Sequence, residues 1–402
     1  MSPTLPVSGT PPAAPGRLVS IDAYRGFVML LMMAEVLSLR QVADALPQSG
    51  FWAFLASQQS HVPWVGCSLH DLIQPSFSFL VGVAVPFSMA SRLARGSTFG
   101  RMFGHALWRS LVLIFLGIFL RSIGRAQTNF TFEDTLTQIG LGYTALFLLG
   151  WTSPRTQWMA CGAILLGYWL AFALYPLPGA DFDWAKAGVA QDWPQHLRGF
   201  AAHWNKNTNL AWAFDNWFLN LFPRESLFTH NTGGYATLSF IPTLGTMLLG
   251  LIAGGWLRRL PTPGDRVRLF LMVGLAGVAL GWLLDLSGVC PNVKRIWTPT
   301  WVIYSGGWCF LLLALFCALG EGLNLAWLAF PLIVIGMNSI AAYCMDGLFL
   351  GFIRGALQTH LGTGFFRWFG EAYEPLWRGV WVLGVLWLIL FWMHRRRLFL
   401  KL

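Results

Sequence analysis

Residues 60–71 hold two histidines and an aspartate, His61, His70 and Asp71, between apolar runs at 27–39 and 72–89. Imidazole exchanges a proton near neutral pH and can also attack an acyl carbon. A carboxylate beside it fixes the tautomer and stabilises the charged form. His61 and Asp71 lie on either side of a turn marked by Pro63 and Gly66, so contact between them is feasible. Each also has a plainer role. His61 suits a surface loop at headgroup level, and Asp71 suits a helix first turn, where the dipole favours a carboxylate. Trp64 fits a membrane interface. His70 projects from a different part of the helix that Gln74 and Pro75 continue.

Glu35 is the sharper oddity, because it falls inside an otherwise apolar run. A carboxylate there needs a partner, a raised pKa or a route to the interface. Asp22 and Arg25 stand at i and i+3 and can pair on one helix face or form an anion site. Gln138, Asn338 and Ser339 are polar groups at lipid depth, where such residues join helices or line a binding site. Gly336 beside them allows a close approach. Asp285 and Asp346 fall at helix ends, where solvated carboxylates cost little. Gly82, Gly117 and the pair Gly254-Gly255 read as packing positions. No nucleotide-binding, zinc-protease or serine-hydrolase signature is present, and nothing indicates a metal site. Four of the six cysteines lie in apolar segments; Cys67 and Cys290 lie near segment ends, where a bridge between them is a minor alternative.

The elements that must hold these groups are membrane helices. The 402-residue chain is 55% hydrophobic and only 11% charged, against about 25% charged in soluble domains. A crossing needs about 20 apolar residues. The sequence predicts an all-α integral membrane protein, a bundle of about ten (9–11) transmembrane helices at 19–39, 69–90, 107–123, 135–151, 157–175, 238–257, 267–286, 300–319, 327–346 and 376–393. Residues 347–365 are apolar enough to lie in the interface or re-enter. Residues 1–17 are Pro-, Ser- and Ala-rich and predict a disordered tail before a single membrane domain at 18–402. Arginine in the short connections puts both termini in the cytoplasm and residues 40–68 outside. The long connection at 176–237 then forms an extracytoplasmic cap. The net charge of +10 resides in residues flanking apolar segments, which fits lipid headgroups and not nucleic acid.

Several motifs resemble one known family. Arg17-Leu18-Val19-Ser20-Ile21-Asp22-Ala23-Tyr24-Arg25-Gly26 is similar to the R-L-x-S-x-D-x-x-R-G opening of the heparan-α-glucosaminide N-acetyltransferase family of membrane acyltransferases. His61-Val62-Pro63-Trp64-Val65-Gly66 resembles its H-x-x-W-x-G, and residues 71–77 resemble its D-L-V-F-P-x-F. Leu136-Thr137-Gln138-Ile139-Gly140 resembles L-Q-R-[LI]-G, and Gly336-Met337-Asn338-Ser339-Ile340 matches G-M-N-S-I. The resemblance implies transfer of an acetyl group from cytosolic acetyl-CoA to an amine or hydroxyl of a sugar or glycan across a bacterial inner membrane. It sets the family's active-site histidine on His61 and its motif aspartate on Asp71, with Glu35 as a third candidate catalytic group. Asp22, Arg25, Trp64, His70, Gln138, Asn338 and Ser339 become candidates for binding substrate or donor. Arg25, Arg92, Arg95, Arg109 and Arg258 could meet the donor's phosphates by position. The chain departs from the pattern twice: the family often has Asn where Glu35 stands, and Arg where Ile139 stands. Membrane lipids, and a homodimer as an open alternative, complete the expected partners. The rival reading is a secondary transporter for a small polar solute.

Overall fold

The computed structural model describes residues 18–323 and 327–400; the tail expected at 1–17 lies outside them. Its helices are α1 (Val19–Met33), α2 (Leu39–Ala45), α3 (Gly50–Gln58), α4 (Ile73–Ala94), α5 (Phe99–Ser122), α6 (Thr135–Leu149), α7 (Pro154–Ala173) and α8 (Trp184–Ala187). They continue as α9 (Leu210–Phe218), α10 (Phe240–Arg259), α11 (Pro263–Leu286), α12 (Pro299–Cys317), α13 (Phe330–Gly336), α14 (Ser339–Leu361) and α15 (Glu374–Arg395). Local chemistry sets many of the starts. Thr98, Asp134, Ser153, Thr262 and Thr298 each accept a backbone N–H of the helix they precede. Pro154, Pro263 and Pro299 follow three of these caps, where a missing N–H costs nothing.

The protein is an all-α, multi-pass integral membrane protein. Among the described residues, eight helices are long and apolar enough to cross a bilayer. A ninth crossing results if the bent pair Val19–Leu37 and Leu39–Ala45 is one span. α6 is a shorter apolar helix, about 22 Å long at 1.5 Å per residue, below the bilayer's hydrocarbon thickness.

Two expectations are corrected. Residues 19–39 are not one straight span. α1 passes into a 3-10 turn, Ala34–Leu37, and Ser38 breaks the chain at φ 50° before α2 leaves at 41°. Residues 327–346 are not one helix either. α13 stops at Gly336, the chain turns at Met337 and Asn338, and α14 carries the crossing. At the end of α13 the chain packs backbone to backbone on α1, since a Cβ on Gly336 would lie 2.0 Å from the Asp22 carbonyl oxygen. The stretch expected at the interface, 347–365, therefore runs as helix to Leu361.

α4, α10 and α12 form the centre, with 56%, 67% and 56% of their apolar windows buried. α11 has only 17% buried and is apolar throughout, so its free faces suit lipid tails. α4 and α10 touch through backbone. Cβ atoms on Gly82 and Gly250 would each stand 1.9 Å from a carbonyl oxygen of the other helix. Such small-residue contacts drive helix association in lipid. Gly255, expected as a packing position, meets nothing within 4 Å.

The longest connection, 174–236, folds over the end of the bundle near residues 60–70. Its aromatic core gathers Trp64, Tyr168, Phe172 and Trp204. On α9, Asp215 is 2% exposed and its Oδ2 accepts the Thr237 N–H at 3.0 Å. Burial pushes that carboxyl up to about 7. Cys67 and Cys290 are both free thiols, so no bridge joins them.

Candidate active site

Three helices start or stop short at the cap end, and a cavity of about 630 Å³ occupies the space they leave. α1 ends at Met33 and its 3-10 turn carries Glu35. α4 is led in by a 3-10 turn that carries His70 and Asp71. α6 begins only at Thr135, so Glu133 and Asp134 lie on the wall. The polar rim includes Glu35, His61, His70, Asn231, Tyr235 and Lys294. Met29, Met32, Phe77 and Leu120 line its apolar part. Met29 precedes Glu35 by six residues, which sets this wall roughly 9 Å deep along α1.

His61 Nδ1 lies 2.7 Å from Asp71 Oδ1. Asp71 is 1% exposed, and its other oxygen accepts the Val62 N–H at 3.2 Å, the Ser68 N–H at 3.1 Å and the Ser68 hydroxyl at 3.0 Å. A carboxylate so saturated with donors stays ionised and rigid. Its remaining oxygen is aimed at the imidazole. Nδ1–H donation to Asp71 leaves Nε2 as the bare nitrogen, and no described residue hydrogen-bonds it. His61 is 36% exposed, enough for a molecule in the cavity to reach it. Burial pushes its imidazole below the ordinary histidine value; Asp71 opposes this and Lys294 adds to it.

The second histidine joins the same site. His70 Nε2 lies 3.2 Å from Glu35 Oε1, and its ring centroid is 4.5 Å from that of His61. Glu35 therefore has a partner, which answers its exposure to an apolar helix end. Cys67 stands next to this loop, but burial pushes its thiol up to about 12, so it holds no thiolate near neutral pH. Among the described residues, no group of three or more His, Cys, Asp or Glu side chains could hold a metal.

The structure thus brings His61, Asp71, Glu35 and His70 together. It places the other sequence candidates elsewhere. Trp64 is fully buried and donates to the Trp204 carbonyl at 3.1 Å, bracing the cap. Gln138 is 1% exposed and donates to the Phe132 and Thr237 carbonyls at 2.8 and 3.2 Å, tying α6 to the start of α10. Asn338 holds the Leu398 carbonyl at 3.0 Å and the Leu400 N–H at 3.2 Å. Ser339 opens α14 away from the cavity lining. Asp22 pairs with Arg25 at 3.5 Å. This pair precedes Glu35 by some ten to thirteen residues, about 15–20 Å along α1. Asp346, expected as a solvated helix end, lines the cavity.

Sequence reasoning missed Lys294. Its Nζ is 3.2 Å from Asp71 Oδ1 and 3.1 Å from His61 Nδ1, and it is 5% exposed. Its burial follows from a bridge between Val65 and Val293 that docks the 287–298 connection against the His61 loop.

No family model matches the chain. Two curated proteins do. The human protein named heparan-alpha-glucosaminide N-acetyltransferase is 25% identical over 370 residues, covering 82% of this chain. The mouse protein of that name is 23% identical over 365 residues, covering 81%. The chain is thus similar over most of its length to two proteins named heparan-alpha-glucosaminide N-acetyltransferase. It spans about half the length of these relatives, 53% in each case. The shared region takes in most of the membrane bundle, so the likeness concerns the part that holds the cavity and not a peripheral module.

Proposed function

We propose that this protein is an acetyltransferase that passes an acetyl group from cytosolic acetyl-CoA to an amine or hydroxyl of a sugar or glycan on the far side of the membrane. The observation that carries this reading is the His61–Asp71 pair, 2.7 Å apart, with His61 on the lining of a cavity of about 630 Å³. An ammonium must lose a proton before it attacks a thioester, and a neutral imidazole is suited to take it. In the direct route Nε2 takes the acceptor's proton as the acceptor nitrogen or oxygen bonds the acetyl carbon. The C–S bond breaks and the thiol leaves with a proton. In the stepwise route Nε2 bonds the acetyl carbon as the C–S bond breaks and the thiolate leaves; the acceptor then bonds that carbon as the Nε2–C bond breaks, and the proton it releases ends on the thiolate by way of the freed imidazole. Asp71 holds the ring in either case. Glu35, held by His70, can receive an ammonium group of the acceptor.

The donor's thioester arm would lie along Met29, Met32 and Phe77. Its phosphates need cations at the opposite end. Arg92, which contacts His105 at 2.9 Å, and Arg258, which donates to the Pro86 carbonyl at 3.1 Å, stand near that end of α4 and α10. In this reading the protein sits in a bacterial cytoplasmic membrane with both termini in the cytoplasm, as its arginine distribution favours.

Proteoliposomes with acetyl-labelled acetyl-CoA outside the Arg-rich face and glucosamine on the other side test the reaction. Labelled N-acetylglucosamine should form with wild type and not with His61→Ala. Equal transfer by His61→Ala would overturn the assignment of His61. Accumulation of unmodified glucosamine without need of acetyl-CoA would favour a transporter.

A further inference from the structure

His61 sits in a crowded field. Asp71 and His70 face it from the entry to α4, and Glu35 from the turn after α1. Tyr235 stands with its ring centroid 6.4 Å away. Lys294 and Arg295 come from the connection between α11 and α12. Arg295 is held off the imidazole, since it donates to the Val62 and Gly233 carbonyls and lies over the Tyr235 ring. Lys294 is the cation in contact with His61.

The three-body geometry has a definite consequence. Asp71 Oδ1 meets both His61 Nδ1 at 2.7 Å and Lys294 Nζ at 3.2 Å. A carboxylate alone against an imidazole favours the doubly protonated ring. Here a second proton on His61 would set two positive charges 3.1 Å apart over one carboxylate. Lys294 has only 5% of its side chain exposed, so water screens this repulsion little. The same ammonium keeps Asp71 ionised. Burial lowers the Lys294 ammonium and the Asp71 carboxylate opposes that loss.

We propose that Lys294 is a positioning residue that keeps the His61 imidazole from taking a second proton, while Asp71 holds its Nδ1–H. This rests on reading His61 as the reacting group. The device matters most where the cap side is acidic, because an ordinary histidine beside a buried carboxylate would carry a proton there and could neither take another nor attack a carbonyl.

The test reads the imidazole and not the transfer. Diethyl pyrocarbonate acylates only neutral imidazole, and its rate at His61 can be followed against pH by peptide mass spectrometry on the purified full-length protein. Wild type and Lys294→Arg should titrate together, below the ordinary histidine value of about 6.5. Lys294→Gln should titrate at least about one pH unit higher. Coincident midpoints for Lys294→Gln and wild type would overturn the proposal. If Lys294→Gln does not fold, Lys294→Met, which matches the stem, is read in the same way. The outcome stands whether or not the chain transfers acetyl groups, so failure here and failure of the proposed reaction are distinct results.

Discussion

At the scale of single residues, the site depends on one nitrogen being bare and one being held. Asp71→Asn preserves the shape but offers an amide where the carboxylate accepted the Nδ1 proton. Acetyl transfer should fall by on the order of 10³–10⁴-fold, as for other carboxylate–histidine pairs, and the melting temperature should drop as well, because the buried Lys294 ammonium loses its carboxylate. Initial rates and thermal unfolding on one preparation check both halves. The pH profile follows from the same geometry. In the proposed reaction His61 acts as the free base, which predominates above its pKa, and burial pushes that pKa down. The rate should therefore hold as pH falls to about 6.5 and decline only below it. A decline centred above that value would contradict the geometry. His61 and Asp71 could be picked from the sequence because they share a loop. Lys294 could not, because it is 233 positions from His61 and only the folded chain brings it there.

At the scale of elements, the cavity exists because α1 and α6 fall short and because α4 and α10 pack backbone to backbone. Gly250→Ala would place a methyl 1.9 Å from the Phe79 carbonyl oxygen and should destabilise by about 1–3 kcal/mol or more. Gly255→Ala, with open space around it, should be neutral or stabilise by up to about 1 kcal/mol. Melting temperatures in one detergent decide between them. In the cap, α9 carries a proton switch of stability. The Asp215 carboxyl titrates at about 7 in the fold against 3.8 ordinarily, so the folded state binds that proton more tightly. Its stabilisation is fully present below about pH 4 and is lost as pH rises through about 7, on the order of a few kcal/mol. Asp215→Asn, which mimics the protonated form, should flatten the dependence of the melting temperature on pH across that window. An unchanged dependence would place the titration elsewhere. Apolar run length made most helices legible in the sequence. The breaks at Ser38 and Asn338 were not, because neither the left-handed backbone at Ser38 nor the bonds of Asn338 to Leu398 and Leu400 has a local signature in the sequence.

At the scale of the whole molecule, helix direction alternates from α4 to α7, so the cavity and the arginine-rich turns fall at opposite ends. A membrane-impermeant maleimide added to intact cells should label Asn231→Cys, on the cavity rim, and leave Arg95→Cys and Arg396→Cys unlabelled until the membrane is opened. The reverse pattern would invert the molecule and remove the route from a cytosolic donor to a far-side acceptor. Acetyl-CoA should raise the melting temperature by mass action, and a null result at concentrations well above the cellular level would count against a donor site. The sequence alone determined that the chain lives in lipid, because apolar run length is a local property that the bilayer reads directly. It also marked His61 and Asp71, since a short loop keeps near neighbours near. Only the tertiary structure decided the rest. It set Gln138, Asn338, Asp22 and Trp64 outside the lining of this cavity, each bonded to another group, and brought Lys294 and Asp346 onto it. A polar residue at lipid depth must bond something, and whether that is another helix or a substrate depends on which distant segment packs against it.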